Sequence, residues 1–335
     1  MIVLGIETSC DECSVALVED GRKILSNEIA TQIELHKPWY GVVPEIASRL
    51  HVQWIDGVRE KALADAGLSL SDVDSVAVTA RPGLMGSLMV GLSYGKGLAW
   101  SLGIPMVGVN HVKAHLYAPH LEYDIEYPYL GVIVSGGHTM ICRVDGFDEM
   151  EVLGTTVDDA CGEAFDKVAK FYDLGYPGGV AIDKLAQSGD DRAFNFPIPN
   201  LHKGGHEYDV SYSGLKTAVI NQLEQFRAEG AEASVENIAA SFQKRAIDML
   251  MKKIKLAVKN TGLTRIVAGG GVSANSRFRK CLSELHGTEA FFPSLSLCGD
   301  NGAMIAGLGY HYLERGDRSP LNESTRARIK GYRNI

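Results

Sequence analysis

Ile2-Val3-Leu4-Gly5-Ile6-Glu7 and Tyr129-Leu130-Gly131-Val132-Ile133-Val134 are two short apolar runs, and the chain follows each with the same succession of elements. After the first, Thr8 to Glu12 reads as a polar turn and Ser14 to Glu19 as a second strand. Asp20-Gly21 is then a hairpin signal into a third strand, Ile24 to Ala30. After the second, Ser135-Gly136-Gly137 is a turn and Thr139 to Val144 a strand, with Asp145-Gly146 turning into Glu151 to Leu153. Each half later repeats a strand that ends in glycines opening a helix. Val76 to Thr79 leads to Pro82-Gly83-Leu84 and a Leu88, Leu92 stripe; Ile266 to Ala268 leads to Gly269-Gly270-Gly271 and a helix at Asn275. The order of elements matches, and not merely their presence. One irregular α/β domain with ordinary hairpins therefore explains the pattern less well than a duplicated two-lobed α/β fold with a cleft between the lobes.

On this reading residues 1–128 form the first lobe, completed by 302–335, and residues 129–301 form the second. Within the second, Gln187 to Tyr212 is polar and rich in Pro, Gly and His, which predicts a long surface excursion near 187–212. Val235 to Asn260 reads as a long helix, with Ile238, Phe242, Ile247, Leu250 and Ile254 turned inward.

A chain of 335 residues, 45% hydrophobic, can bury cores of this size. Its net charge of −8 argues against gripping nucleic acid by overall charge, leaving a local patch or a partner. The amino terminus has no signal-peptide pattern and no stretch reaches membrane-spanning length, since Lys96 and several glycines interrupt the longest candidate. Six scattered cysteines suit a reducing cytoplasm, the expected location. Cys10 and Cys13 form a C-x-x-C without a second pair at zinc spacing, and two small residues at a strand end explain them better than a redox or metal site.

Asn110 is a candidate helix cap after the apolar strand Met106 to Val109. His111 and His115 then stand four apart on one helical face, as two imidazoles must to share a metal. No Glu follows the first His, so the general base of an H-E-x-x-H protease is missing. Asp300, before an Ala/Met-rich helix, reads either as a cap or as a third ligand. Gly269 to Asn275 and Val134-Ser135-Gly136-Gly137-His138 are tight turns whose backbone can approach a flat or charged ligand. A bulky side chain at Gly137 or Gly270 is accordingly expected to block that approach with little loss of folding. Neither G-x-G-x-x-G nor G-x-x-x-x-G-K-[ST] occurs, which disfavours a dinucleotide fold or a P-loop. Glu163, Asp166 and Asp183 lie on or near helices, and Tyr176-Pro177-Gly178-Gly179 brings backbone close before Asp183.

At these residues the chain resembles the TsaD family, the catalytic subunit of tRNA N6-threonylcarbamoyladenosine synthesis, once filed as a glycoprotease. The resemblance rests on Gly5-Ile6-Glu7-Thr8-Ser9-Cys10-Asp11-Glu12, Gly41-Val42-Val43-Pro44-Glu45, Pro82-Gly83-Leu84 and Lys96 to Leu116. It continues through Val134 to Thr139, Gly162-Glu163-Ala164-Phe165-Asp166-Lys167, Ser213-Gly214-Leu215-Lys216-Thr217, Gly270 to Asn275 and Asp300-Asn301-Gly302-Ala303. It implies the actin/Hsp70/hexokinase-type (ASKHA) fold. It also implies transfer of a threonylcarbamoyl group from threonylcarbamoyl-AMP to N6 of the adenosine beside the anticodon, in tRNAs reading codons that begin with A.

By the same motifs His111, His115 and Asp300 would hold one divalent metal, usually taken as Fe(II), with Zn(II) also suited to the donor set. Val134, Ser135, Gly136, Gly137, His138, Asp166, Gly179, Asp183 and Asn275 would hold the adenylate. A TsaB-like paralogue and a TsaE-like ATPase are the implied partners, and the apolar stripe Leu84, Met85, Leu88, Met89 and Leu92 is either the contact for the paralogue or part of the first lobe's own core. Arg326, Arg328, Lys330 and Arg333 are a candidate RNA patch. Glu12 is the candidate base for the acceptor amine. Cys13, Arg81, Lys113 and Gly299 depart from the family's usual residues, but none removes a ligand. An endopeptidase is disfavoured by the missing Glu, and a kinase or ATP-driven chaperone of this fold leaves the His pair unexplained.

Overall fold

In the computed structural model residues 1–198, 201 and 205–329 are described, and the chain divides into two compact units. Among the described residues the first takes Met1–Ile125 and 293–329; the second takes Glu126–Phe292. The return to the first unit thus begins at Pro293, ahead of the 302 read from the sequence.

The first unit opens with β1 (Ile2–Glu7), β2 (Glu12–Glu19) and β3 (Lys23–Thr31), an antiparallel meander. Asp20 and Gly21 both hold positive φ, 50° and 72°, the paired left-handed geometry that a tight hairpin requires. Helices α1 (Ile33–His36) and α2 (Pro44–Ala66) follow, then β4 (Ser75–Arg81), α3 (Met85–Leu102), β5 (Met106–Asn110) and α4 (His111–Tyr117). The sheet order is β3-β2-β1-β4-β5, with β1, β4 and β5 parallel.

The second unit repeats this plan. Strands β6 (Tyr129–Val134), β7 (Thr139–Val144) and β8 (Met150–Thr155) form its meander. Four helices come next: α5 (Cys161–Phe171), α6 (Gly178–Ala186), α7 (Ser213–Asn221) and α8 (Val235–Thr261). After β9 (Arg265–Gly269), α9 (Ser276–Ser283) and β10 (Glu289–Phe291), the order is β10-β9-β6-β7-β8. Read from the meander edge, the two sheets have one topology, and the parallel pairs fall at equivalent places. All five inward positions expected on α8 are buried. The 187–212 stretch departs from a surface excursion: Ala193, Phe194 and Phe196 enter the core of the second unit, and Val210 bridges Thr156. Burying two phenylalanines outweighs the polar composition of their neighbours.

Back in the first unit, α10 (Leu295–Cys298) and α11 (Gly302–Glu314) complete the fold. Helix α11 lies directly on β1. A Cβ at Gly5 would collide with Gly302 O, 2.7 Å from Ala306 N, so only glycine permits this approach. The chain then straps β5 and β4. Ser319 N–H donates to Met106 O, Gly108 N–H donates to Ser319 Oγ, Arg326 N–H donates to Ala80 O, and Gly83 N–H donates to Ala327 O. Arg81 pairs through Nη1 with Glu323 at 3.1 Å.

Candidate functional site

Strands β1, β4 and β5 run parallel in the first unit and deliver polar residues at their carboxyl ends, where open α/β sheets place ligands. Glu7 ends β1, Thr79 lies near the end of β4, and Asn110 ends β5. Asn110 Oδ1 accepts from Val112 N–H (2.9 Å) and Lys113 N–H (3.2 Å), which fixes the start of α4 and with it the two histidines. Their rings stand edge to face, centroids 4.5 Å apart. Asp300, one residue before the Asn301 cap of α11, reaches them: its Oδ1 is 3.1 Å from His115 Nε2 and 3.5 Å from His111 Nε2. One ligand atom from each of the three lies within 4.8 Å of the others. Asn301 thus takes the capping role, and Asp300 is left for the histidines.

The residues fit a divalent metal. His111 Nδ1 lies 2.9 Å from Glu7 Oε2, a fully buried carboxylate that also accepts from Ser9 N–H and, at 2.7 Å, from Thr79 Oγ1. That partner accepts from Nδ1–H, so Nε2, which faces Asp300, is the nitrogen left for a metal once its own proton is displaced, the arrangement metal-binding histidines use. Burial opposes a proton on His111, but Asp300 and Glu7 outweigh it and raise its pKa to about 9. Burial likewise pushes the Glu7 carboxyl up, and the charge and hydrogen bond of His111 outweigh it and hold it below its usual value. The pocket therefore draws positive charge. His115 Nδ1 is buried with no hydrogen-bond partner, a second sign that the ring is held for something other than internal bonding. Two imidazoles and one carboxylate leave open positions around Fe(II) or Zn(II).

Glu12 begins β2, opposite Thr31, whose Oγ1 donates to its Oε1 at 3.4 Å. Burial and the charges of Asp11 and Asp300 push its carboxyl well above the usual carboxylate range. A base of raised pKa is the stronger acceptor once its own proton has left. Lys113 is half-buried on α4, and Cys13 is buried in β2 with a free thiol.

In the second unit Gly136 and Gly137 are exposed at the tip of the β6–β7 turn, and a Cβ on either would meet nothing within 4 Å. Ser135 Oγ accepts from His138 N–H at 3.0 Å, and Ser135 O accepts from Gly162 N–H at 3.1 Å, so the turn is pinned to α5. Gly270 differs: its φ is 92° and a Cβ would stand 2.5 Å from Val134 O. The expectation that a side chain at Gly270 would spare folding is therefore corrected, because backbone cannot move aside there. Asp166 Oδ1 accepts from Gly178 N–H at 2.7 Å, which docks the start of α6 beside Gly179. At the amino end of α9, where the glycine reading expects N–H groups free for an anion, two of them are bonded within the chain. Ser276 N–H (3.2 Å) and Oγ (2.7 Å) donate to Asp183, and Asn275 Oδ1 caps Phe278 N–H. Asn275 Nδ2 donates to Gln243 Oε1 at 2.8 Å and to Asp183 Oδ1 at 3.3 Å. Asp183 and Asn275 thus build one another's environment, whatever else they touch.

The candidate contact stripe splits. Leu88 and Leu92 are buried in the first unit, whereas Met85 (46%) and Met89 (54%) are exposed. Of the basic tail residues Arg326 and Arg328 are exposed, while Lys330 and Arg333 lie outside the described residues. Glu7 and Ser9, which meet His111, and Thr79, which donates to Glu7, were not singled out from the sequence in those roles. An acidic residue closing an otherwise apolar central strand was the available signal.

The architecture is shared with solved structures of low identity. Component A of (R)-2-hydroxyglutaryl-CoA dehydratase from Acidaminococcus fermentans matches 95% of this chain and 100% of its own, with TM-score 0.58 and 14% identity. HypF from T. kodakarensis matches 94% of this chain and 48% of its own, with TM-score 0.63 and 14% identity. The duplicated meanders and these neighbours show an actin/Hsp70/hexokinase-type fold. Residues 23–307 match the TsaD family, tRNA N6-adenosine threonylcarbamoyltransferase. A Treponema denticola protein of that name is 62% identical over 99% of this chain and 98% of its own length. One from Borreliella burgdorferi is 51% identical over 100% and 96%. The chain belongs to the TsaD family and is a transferase acting in tRNA modification. No helix among the described residues is long and apolar enough to cross a membrane.

Proposed function

We propose that this enzyme moves the threonylcarbamoyl group of threonylcarbamoyl-AMP to N6 of the adenosine beside the anticodon, in tRNAs reading codons that begin with A. The convergence of His111, His115 and Asp300 on one point, with Glu7 behind His111, carries this reading. These three residues would hold a divalent ion, Fe(II) or Zn(II), which when bound supplies Lewis-acid polarisation of a substrate oxygen. In the transfer the N6–carbonyl carbon bond forms, the bond from that carbon to the phosphate oxygen breaks, and the N6 proton leaves. Glu12 is the acceptor for that proton, and AMP departs with the electron pair of the broken bond. The exposed amides of Gly136 and Gly137 suit the phosphate of the adenylate. Val134, Ser135, His138, Asp166, Gly179, Asp183 and Asn275 surround it in this reading. The acceptor is brought with a TsaB-like paralogue, which Met85 and Met89 would contact, and a TsaE-like ATPase; the setting is cytoplasmic.

The test is transfer to an unmodified tRNA transcript by the metal-loaded chain with both partners, read by mass spectrometry of the nucleosides. Modified adenosine next to the anticodon is expected from the parent and not from His111→Ala with His115→Ala. Modification that survives in the double variant refutes the placement.

A further inference from the structure

A second cluster of polar side chains lies in the first unit, away from the three candidate ligands, and the reaction above makes no use of it. Gln32, His36 and His51 are fully buried, between the end of β3, helix α1 and helix α2. His51 Nε2 is 2.9 Å from Cys10 O, and its Nδ1 is 3.4 Å from Gln32 Nε2. The other proton of that amide goes to Ala47 O at 3.3 Å. Gln32 Oε1 lies 3.1 Å from His36 Nε2, and His36 Nδ1 accepts from Val43 N–H at 3.3 Å.

Both ends of this chain fix its protons independently. Cys10 O can only accept, so His51 must carry its proton on Nε2 and present a lone pair at Nδ1. Val43 N–H can only donate, so His36 must be bare at Nδ1 and protonated at Nε2. The two requirements demand the same orientation of the Gln32 amide, nitrogen to His51 and oxygen to His36. Every donor and acceptor is then used, and both rings are neutral. A second proton on either would set N–H against N–H. The groups facing His51 are Cys10, Glu7, Asp11 and His36, and burial, the largest influence, holds its pKa below the usual histidine value.

At one end of the relay stands the segment that carries the chemistry. Ser9 Oγ is 3.1 Å from His111 Nδ1, and Ser9 O accepts from Leu84 N–H at 2.8 Å. Cys10 O is held by His51, and Asp11 O accepts from Gln32 N–H at 3.1 Å. Two consecutive carbonyls just before Glu12 are thus anchored by relay residues. At the other end Val43 caps α2, after a connection in which Trp39 is 60% exposed and Tyr40 holds a φ of 51°.

We propose that His51, with Gln32 and His36, is a positioning residue: a neutral relay that fixes the Ser9–Glu12 segment so that Ser9 meets His111 and Glu12 is set for the transfer step. This rests on the transfer reading above, because Glu12 has its role only there. A misplaced reacting group costs on the order of 100-fold per ångström, so losing the Cys10 anchor is expected to lower kcat about 10–100-fold.

The experiment compares His51→Leu and His51→Gln in the metal-loaded protein with its partners. The glutamine amide reaches Cys10 O as a neutral donor. His51→Leu is expected to lose kcat with KM for the donor and metal content unchanged, and His51→Gln to recover most of it. Equal kcat per folded molecule in parent and His51→Leu overturns the proposal. Ring 15N spectra of the parent provide a readout that needs no activity and no variant that folds. Neutral Nε2–H tautomers at both His36 and His51 at pH 7 are expected, and an Nδ1–H tautomer or a cation at either overturns the relay. A parent that transfers nothing sinks the transfer reading instead. The relay is then judged on these spectra and on amide exchange at Gln32, which is expected to quicken in His51→Leu; unchanged exchange counts against it.

Discussion

Replacing Gly137 with valine puts an isopropyl group on the β6–β7 turn where a Cβ meets no atom within 4 Å and φ is not in the left-handed region. Folding stability should therefore change by no more than about 0.5 kcal/mol, the range of ordinary surface substitutions. In the proposed reaction the same group stands where the phosphate of the adenylate would approach the turn. Losing one hydrogen bond to a charged ligand costs about 1.5–3 kcal/mol, or roughly 10–150-fold in affinity. Gly270→Ala gives the opposite result for physical reasons. A left-handed φ of 92° costs an L-residue roughly 1–2 kcal/mol, and a Cβ 2.5 Å from Val134 O adds about 1–3 kcal/mol of overpacking. That sum of about 2–5 kcal/mol should lower the Tm of the second unit by roughly 4–20 °C. Calorimetric melting of both variants, with AMP titrations at a temperature where each is folded, separates the effects. AMP bound equally well by Gly137→Val and the parent would falsify the cradle, and an unshifted Tm in Gly270→Ala would refute the packing argument.

Metal affinity should fall at least 10–100-fold in His111→Ala and His115→Ala, and about 10–100-fold in Glu7→Gln, by titration against a competing chelator. Unchanged content in the double histidine variant removes the site. Without a bound cation His111 keeps its proton up to about pH 9, above its unfolded value, so its contribution to stability is complete below about 6.5 and is lost as pH rises through about 9. A cation must displace that proton, so affinity should rise with pH by up to about tenfold per unit below pH 9; a flat profile contradicts the coupling. Met85→Glu with Met89→Glu should leave the melting temperature nearly unchanged, since both side chains are exposed, and abolish binding of the paralogue in sedimentation; an intact complex discards the contact. Arg326→Ala with Arg328→Ala should weaken tRNA binding and flatten its salt slope by nearly one unit per lost phosphate contact, with AMP affinity normal. Identical slopes would place the RNA elsewhere.

Local periodicity carried much of the fold. The two meanders, the Asp20-Gly21 hairpin and the inward face of α8 could be read because each depends on neighbours in sequence. The Asn110 cap and the His111–His115 face were legible for the same reason. Asp300 was ambiguous, since a capping Asp and a ligand Asp look alike until Asn301 is seen to take the cap. Glu7 and the Gln32–His36–His51 relay were not legible. Their partners lie at separations such as Glu7 to His111 and Cys10 to His51, and only the sheet order and the packing of α2 bring them together. The 187–212 stretch misled by composition: the apolar residues it buries are few, and the polar ones between them set its average. The stripe on α3 stood open between core and contact, because apolar spacing along a helix does not say how wide a face the sheet will cover.

Helix α11 has a consequence for the life of the chain at the ribosome. Among the described residues the second unit is one continuous stretch, Glu126–Phe292, and that stretch can fold as soon as it has emerged. The first unit cannot, because β1 must wait for α11 to cover it, with Ser14 Oγ accepting from Gly302 N–H at 2.8 Å. His111 and His115 are therefore synthesised long before Asp300, and the first domain begun is the last to close. Until that closure the histidines lack their carboxylate, so a nascent or truncated chain offers metal an incomplete site. Any ion held at the proposed site would therefore load only after Asp300 has been made, and a product terminated before that residue would lack one of the three ligands.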